Sequence, residues 1–170
     1  MKPRILTLLA VALTALTCSQ PPPPVDTGVE NAELGIKLVS VPEGLTVVAN
    51  EGRTLVLKPT AEGAEGSIVF AVGPEQPSIN LVAAVQNHQA RIEAMPDGVY
   101  KGGQELTGDF GAAFYSRGRF SEDGRTMEET VLFLIHPSAY RLLEIRYLYP
   151  AGSDSAGRVE QLISVLGELE

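Results

Sequence analysis

The pattern of apolar and polar positions is clearest in the last third of the chain. From Phe110 to Phe120 the two kinds alternate, with Ala112, Phe114 and Phe120 on one side and Tyr115, Arg117 and Arg119 on the other. A period of two is the signature of a half-buried strand. Ser121-Glu122-Asp123-Gly124 follows, and Asp-Gly between two such runs predicts a hairpin, because Gly accepts the positive φ of the turn. A second strand is predicted over Arg125–Ile135, and His136-Pro137-Ser138 turns the chain into a third, Tyr140–Tyr149. Beyond these, Ser153 is placed to cap a helix running to Glu170, with Val159, Leu162, Ile163, Leu166 and Leu169 as its apolar stripe. Burying such a side chain gains about 1.5–3 kcal/mol, while ordering each residue's backbone costs about 1–2 kcal/mol. The helix therefore needs a sheet beneath it, and the three strands supply one.

The first half of the domain reads as shorter elements. Strands are predicted over Leu34–Val41, Leu45–Ala49, Arg53–Lys58 and Ser67–Val72, separated by the turn residues Pro42-Glu43-Gly44 and Asn50-Glu51-Gly52 and by a Gly- and Glu-rich loop over 59–66. Ser78 is placed to cap a helix from Ile79 to about Ala94, with Leu81, Val85, His88, Ile92 and Met95 on one face. Residues 99–107 are polar and Gly-rich and read as a loop with a short edge strand, Gln104–Thr107. Runs of antiparallel strands with few helices predict an α+β fold, an antiparallel sheet flanked by helices.

The N-terminus has a different character. A short basic start containing Lys2 and Arg4 precedes the apolar run Ile5–Thr17, which suits a signal-peptide core and falls short of the roughly 20 residues needed to span a bilayer. Cys18, the only cysteine, stands at the end of that run and is followed by Pro21–Pro24. The layout resembles the signal peptide of a bacterial lipoprotein, with lipid attached at Cys18. The expected organisation is a signal peptide over 1–17, a lipid-attachment cysteine and Pro-rich tether over 18–33 and a globular domain over 34–170, with 25–32 a flexible continuation of the tether. A plain secretory leader is the alternative. The chain carries a formal charge of −8, which becomes −10 once Lys2 and Arg4 leave with the leader. Such acidity argues against nucleic acid, which binds basic surfaces, and against attraction to anionic headgroups. A single cysteine permits no intramolecular disulfide and no thiolate metal cluster.

Chemistry is sparse in this sequence. There is no G-x-S-x-G elbow, P-loop or G-x-G-x-x-G. His88 and His136 are the only histidines and form no H-x-x-x-H pair, so zinc, and any cofactor, is not expected. His88 falls on the apolar helix face and reads as a core histidine. Glu128 and Glu129 are the first suspects for acid–base work, but strand neighbours point to opposite faces and do not act together. The group Tyr115, Arg117, Arg119, Arg141, Arg146 and Tyr147 is the best candidate for a partner surface, because Tyr and Arg dominate binding hot spots. The competing reading pairs these arginines across strands with Glu128, Glu129 and Glu144.

The early Val41-Pro42-Glu43-Gly44-Leu45 turn, the strands Phe114–Phe120, Thr130–Ile135 and Tyr140–Tyr149, and the closing helix with Val159-Glu160-Gln161-Leu162-Ile163-Ser164-Val165-Leu166 together resemble the PsbP-like family. The resemblance runs from about Leu34 to Glu170 and implies an α/β/α sandwich on an antiparallel sheet. Members include photosystem-associated subunits, a nuclear-transport cofactor and small bacterial envelope lipoproteins. They share binding or scaffolding roles without chemistry of their own, and no ligand residues carry over. The expectation is a lipid-anchored, non-catalytic envelope protein that binds another envelope protein. A small-ligand binder, with a pocket lined by Tyr147, Tyr149 and Phe114, and an unrecognised hydrolase are the alternatives.

Overall fold

A computed structural model describes residues 28–108, 111–137, 139–152 and 155–169. Seven strands form one antiparallel sheet in the order β3-β4-β5-β9-β8-β7-β6, namely β3 (Leu45–Glu51), β4 (Thr54–Pro59), β5 (Ser67–Glu75), β6 (Val99–Gly108), β7 (Gly111–Glu122), β8 (Arg125–Ile135) and β9 (Arg141–Pro150). Two helices, α1 (Leu81–Glu93) and α2 (Ser155–Gly167), and a two-stranded ribbon, β1 (Val29–Asn31) with β2 (Ile36–Leu38), complete the α+β fold. The β7–β8 hairpin closes at Asp123 (φ 49°) and Gly124 (φ 75°), two consecutive positive φ values, as the Asp-Gly signal requires.

The helices lie on opposite faces and over opposite halves of the sheet. α1 packs on β6, β7 and β8, where Leu81, Ala84, Val131 and Phe133 form a small apolar cluster. The larger core fills the other face. It joins Leu55, Leu57, Ile68, Phe70, Ile145, Tyr147 and Tyr149 of the sheet to Leu162, Val165 and Leu166 of α2 and to Leu34, Ile36 and Leu38 of the ribbon. Parity follows the ladder, since paired residues share a face: Ala113, Tyr115, Arg117 and Arg119 of β7 point to the α2 side, and Phe114, Ser116, Gly118 and Phe120 to the α1 side.

Several local expectations change. Residues 29–31, assigned from sequence to a flexible tether, form β1. Asn31 holds it there, accepting from the Leu34 N–H at 2.9 Å and donating to Asn50 Oδ1 at 2.8 Å. The strand expected over 34–41 is only Ile36–Leu38, and it pairs with β1 outside the main sheet. Asn80, not Ser78, caps α1, its side chain accepting from the Ala83 N–H at 3.0 Å. Residues 99–108, read mostly as loop, form a full ten-residue edge strand. A bulge between Tyr100 and Gly102 absorbs one residue, and glycines tolerate such a distortion. In α2 the buried stripe is Leu162, Val165 and Leu166, while Ile163 is 41% exposed. The expected N-cap Ser153 lies outside the described residues.

Candidate functional site

The polar centre of the molecule is built where α1 meets the sheet. Leu81, Ala84, His88 and Ile92 are the buried positions of α1. Helical spacing puts them on one side, and Gly118 lets that side approach closely. A Cβ at Gly118 would stand 2.5 Å from Ile92 Cγ1, so only Gly leaves the room that Ile92 occupies. One turn earlier in α1, His88 is thereby pressed between Ser116 of β7 and Glu129 of β8, its Nδ1 2.7 Å from Ser116 Oγ and its Nε2 3.3 Å from Glu129 Oε2. Tyr100 continues the chain, its hydroxyl 3.2 Å from Ser116 Oγ.

Glu129 is 2% exposed and carries the charge of this cluster. Arg91 of α1 bonds its Oε2, and Arg146 of β9 stands 2.9 Å from its Oε1. Arg146 also bonds Glu144 at 3.1 Å. Burial by itself pushes the Glu129 carboxyl upward. The hydrogen bonds from His88 and Arg91 and the charges of Arg91 and Arg146 outweigh it and hold the group below its ordinary value. Beside it lies an open cavity of about 220 Å³, lined by Ala84, Asn87, Phe133 and Leu142 together with Arg91 and Arg146.

Ser116, His88 and Glu129 are the residue types of a nucleophile, a base and an orienting carboxylate. Their surroundings withhold the chemistry. Ser116 has no exposed surface, the Tyr100 hydroxyl lies against its Oγ, and a reacting carbonyl needs a place about 3 Å from the nucleophile. Among the described residues no group of three His, Cys, Asp or Glu side chains stands where it could hold a metal ion.

The six residues singled out as a partner surface do not form one surface. Tyr115, Arg117 and Arg119 stay together on the α2 side of β7, half-buried. Tyr147 shares that face but is fully buried. Arg158 of α2 lies over its ring at 5.4 Å, and its hydroxyl donates to Gln161 Oε1 at 3.0 Å. Arg141 stands at the far end of β9, in register with Glu75. Arg146 points to the opposite face, into the Glu129 cluster. Of the pairings weighed against the patch, the described residues show one across strands, Arg146 of β9 with Glu129 of β8, and one along β9, Arg146 with Glu144. Among the described residues no carboxylate forms an ion pair with Arg117 or Arg119. Cys18 lies outside the described residues.

The ligand pocket expected around Tyr147, Tyr149 and Phe114 is also corrected. Both tyrosines are fully buried and pack edge to face at 5.2 Å, and Phe114 faces the other side of the sheet, against the α1 cluster. Burial raises the pKa of both hydroxyls, against the lowering effect of Arg158 on Tyr147 and of the Thr130 hydrogen bond on Tyr149. Sequence reasoning missed Arg91, Ser116 and Tyr100 as members of the polar cluster. The available signal was His88 and Arg91 three residues apart on one helix, a spacing that puts both on one side.

The architecture that holds this cluster is the Mog1/PsbP fold. The Ran-binding protein Mog1p of Saccharomyces cerevisiae superposes with a TM-score of 0.58 at 14% identity, over 84% of this chain and 93% of its own. LpqN of Mycobacterium tuberculosis, described as involved in cell envelope biogenesis, gives 0.53 at 16% identity, over 79% and 81%. Cyanobacterial PsbP from Synechocystis gives 0.51 at 12% identity, over 89% and 96%. No family model and no curated protein matches the chain.

Proposed function

We propose that this chain is a lipid-anchored, non-catalytic binding domain of the bacterial envelope whose partner is another envelope protein. In this reading residues 1–17 are the signal peptide, Cys18 carries the lipid, and the Pro-rich stretch holds the domain away from the membrane. The observation that carries the binding role is a contrast between two sites. The constellation of Ser116, His88 and Glu129 is sealed from solvent, whereas Tyr115, Arg117 and Arg119 stand half-open on a sheet face with no carboxylate ion-paired to either arginine among the described residues. The fold supports the reading, being shared with a Ran-binding protein and with a protein of cell envelope biogenesis. No described helix is long and apolar enough to cross a membrane; in this reading attachment is through Cys18.

The test is crosslinking in the envelope with a photoreactive residue at position 115, compared with one at Asn87 on the α1 side. A specific adduct from position 115 that disappears with Arg117→Glu supports the reading. Adducts from Asn87 alone, or none from either, overturn it.

A second reading has its own observation. The cavity beside α1 is lined by the apolar Ala84, Phe133 and Leu142 and by two guanidinium groups, Arg91 and Arg146, with the Glu144 carboxylate beside Arg146, and a small carboxylate with an apolar body would have to compete with Glu144 for Arg146. Calorimetric titration with short-chain carboxylates decides it, and no heat of binding in wild type removes it.

A further inference from the structure

β6 ends the sheet. Among the described residues no strand stands on the outer side of its backbone, whose N–H and C=O groups are then the template for strand addition. The register sets Val99 opposite Arg119, Gly102 opposite Arg117 and Gln104 opposite Tyr115, so all of these share the α2-side face. At Gly102 (φ +95°) nothing lies within 4 Å of the place a Cβ would take. The row of side chains along the edge strand thus has a gap directly in front of Arg117. Arg117 and Arg119 are always charged; Glu128 stands opposite Arg119 in the ladder, but among the described residues no ion pair closes on either guanidinium.

These features select the chemistry of what binds. A strand added outside β6 would lie two ladder spacings, about 9.6 Å, from β7. With no side chain at Gly102, a Glu on the added strand and Arg117 can extend toward each other across that gap. The bulge beside Lys101 limits regular pairing to residues 102–108, and Lys101 adds a positive charge at the end of that segment. A second copy of the chain is a poor occupant. Symmetric antiparallel pairing of 102–108 would set Glu105 against Glu105, a like-charge pair directly opposite.

We propose that β6 accepts an extended acidic segment of a partner protein as an additional strand, with carboxylates on its α2-side face reaching Arg117 through the gap at Gly102 and Arg119 beside it. The proposal rests on the protein-binding reading above and supplies the partner's chemistry.

The experiment is a titration of the purified mature protein, in detergent if it is acylated. The probe is a short synthetic peptide alternating Glu and Val, followed by backbone amide and Arg Nε–H resonances. Two control peptides replace Glu by Lys or carry alternate N-methyl amides. The expected result is perturbation of residues 102–108 and of Arg117 by the acidic peptide, with affinity falling about tenfold or more for either control and for Arg117→Ala or Arg119→Ala. Thermal melts of both variants separate lost binding from lost folding. Equal binding of the N-methylated peptide overturns strand addition, and equal binding of the Lys peptide overturns the role of the arginines. Perturbations confined to the cavity beside α1, or peptide-independent dimerisation through β6, overturn the proposal as well. No binding of any peptide refutes strand addition and leaves the protein-binding reading to the crosslinking result.

Discussion

Replacing Glu129 by Gln tests the polar centre most sharply. Glu129 is 2% exposed, and its carboxylate faces Arg91, Arg146 and His88. Removing one partner of a fully buried ion pair costs about 3–5 kcal/mol, mostly because the remaining charge is left uncompensated. Here the two guanidinium side chains are 37% and 42% exposed, so water recovers part of that cost, and Gln retains two polar atoms. About 2–3 kcal/mol remains after this discount, a fall in Tm of about 6–10 °C for a domain of this size.

The same carboxyl gives the effect a pH signature. Its folded pKa lies below the ordinary 4.5. A depressed folded pKa adds stability that is fully present above the unfolded pKa and is lost as pH falls through the folded one. The gap between wild type and Glu129→Gln is therefore full near neutral pH and closes on acidification below 4.5. Thermal melts of both proteins across that range, followed by circular dichroism, provide the assay. A gap within experimental error at neutral pH, or one that stays constant through the acid range, would refute the reasoning.

Three further outcomes follow from packing and burial. Gly118→Ala drives a methyl to 2.5 Å from Ile92 Cγ1 and costs about 1–3 kcal/mol; Ile92→Ala, which removes every side-chain atom that the methyl would meet, should cost less in the Gly118→Ala chain than in wild type in a chemical denaturation series, and strict additivity would contradict the contact. Asn80→Ala removes the cap on the Ala83 N–H and costs about 1 kcal/mol by the same assay, whereas Ser78→Ala should leave stability unchanged. Tyr147 and Tyr149 have raised folded pKa values, so their contribution is complete below the ordinary tyrosine value of 10.0 and is lost as pH rises through the folded values. The share of tyrosinate absorbance that belongs to Tyr147 and Tyr149 should accordingly appear with alkaline unfolding rather than before it, and ionisation of these two ahead of unfolding, read as the change in absorbance against Tyr147→Phe and Tyr149→Phe, would contradict their burial.

The elements that were legible in the sequence are those whose local chemistry and tertiary role agree. β7 and β8 are joined by Asp123-Gly124, whose positive φ values match what their residue types favour, and their alternation matches a sheet packed on both faces. Only the Gln104–Thr107 part of β6 was legible, because Gly102 and Gly103 carry no strand preference; the strand starts at Val99 because β7 offers a ladder along its whole length, a contact no local window records. In α2 the predicted stripe includes Ile163 and omits Val165, and the rotation at which the helix docks buries the second and exposes the first. The Glu129 cluster depends on register. Adjacent Glu128 and Glu129 look alike in sequence, yet one lies opposite Arg119 on the α2 side and the other opposite Gly118 on the α1 side, under His88. The same parity divides the basic–aromatic group, leaving Tyr115, Arg117 and Arg119 together and sending Arg146 to the other face.

The central claim, a binding domain held at the envelope by its only cysteine, is tested most directly by the mature protein's intact mass and its detergent partitioning. Wild type and Cys18→Ser would be compared after expression in a bacterial envelope. The account predicts a mass gain of acyl size with partitioning into the detergent phase, both lost in Cys18→Ser. An unmodified, water-soluble wild-type product would contradict it.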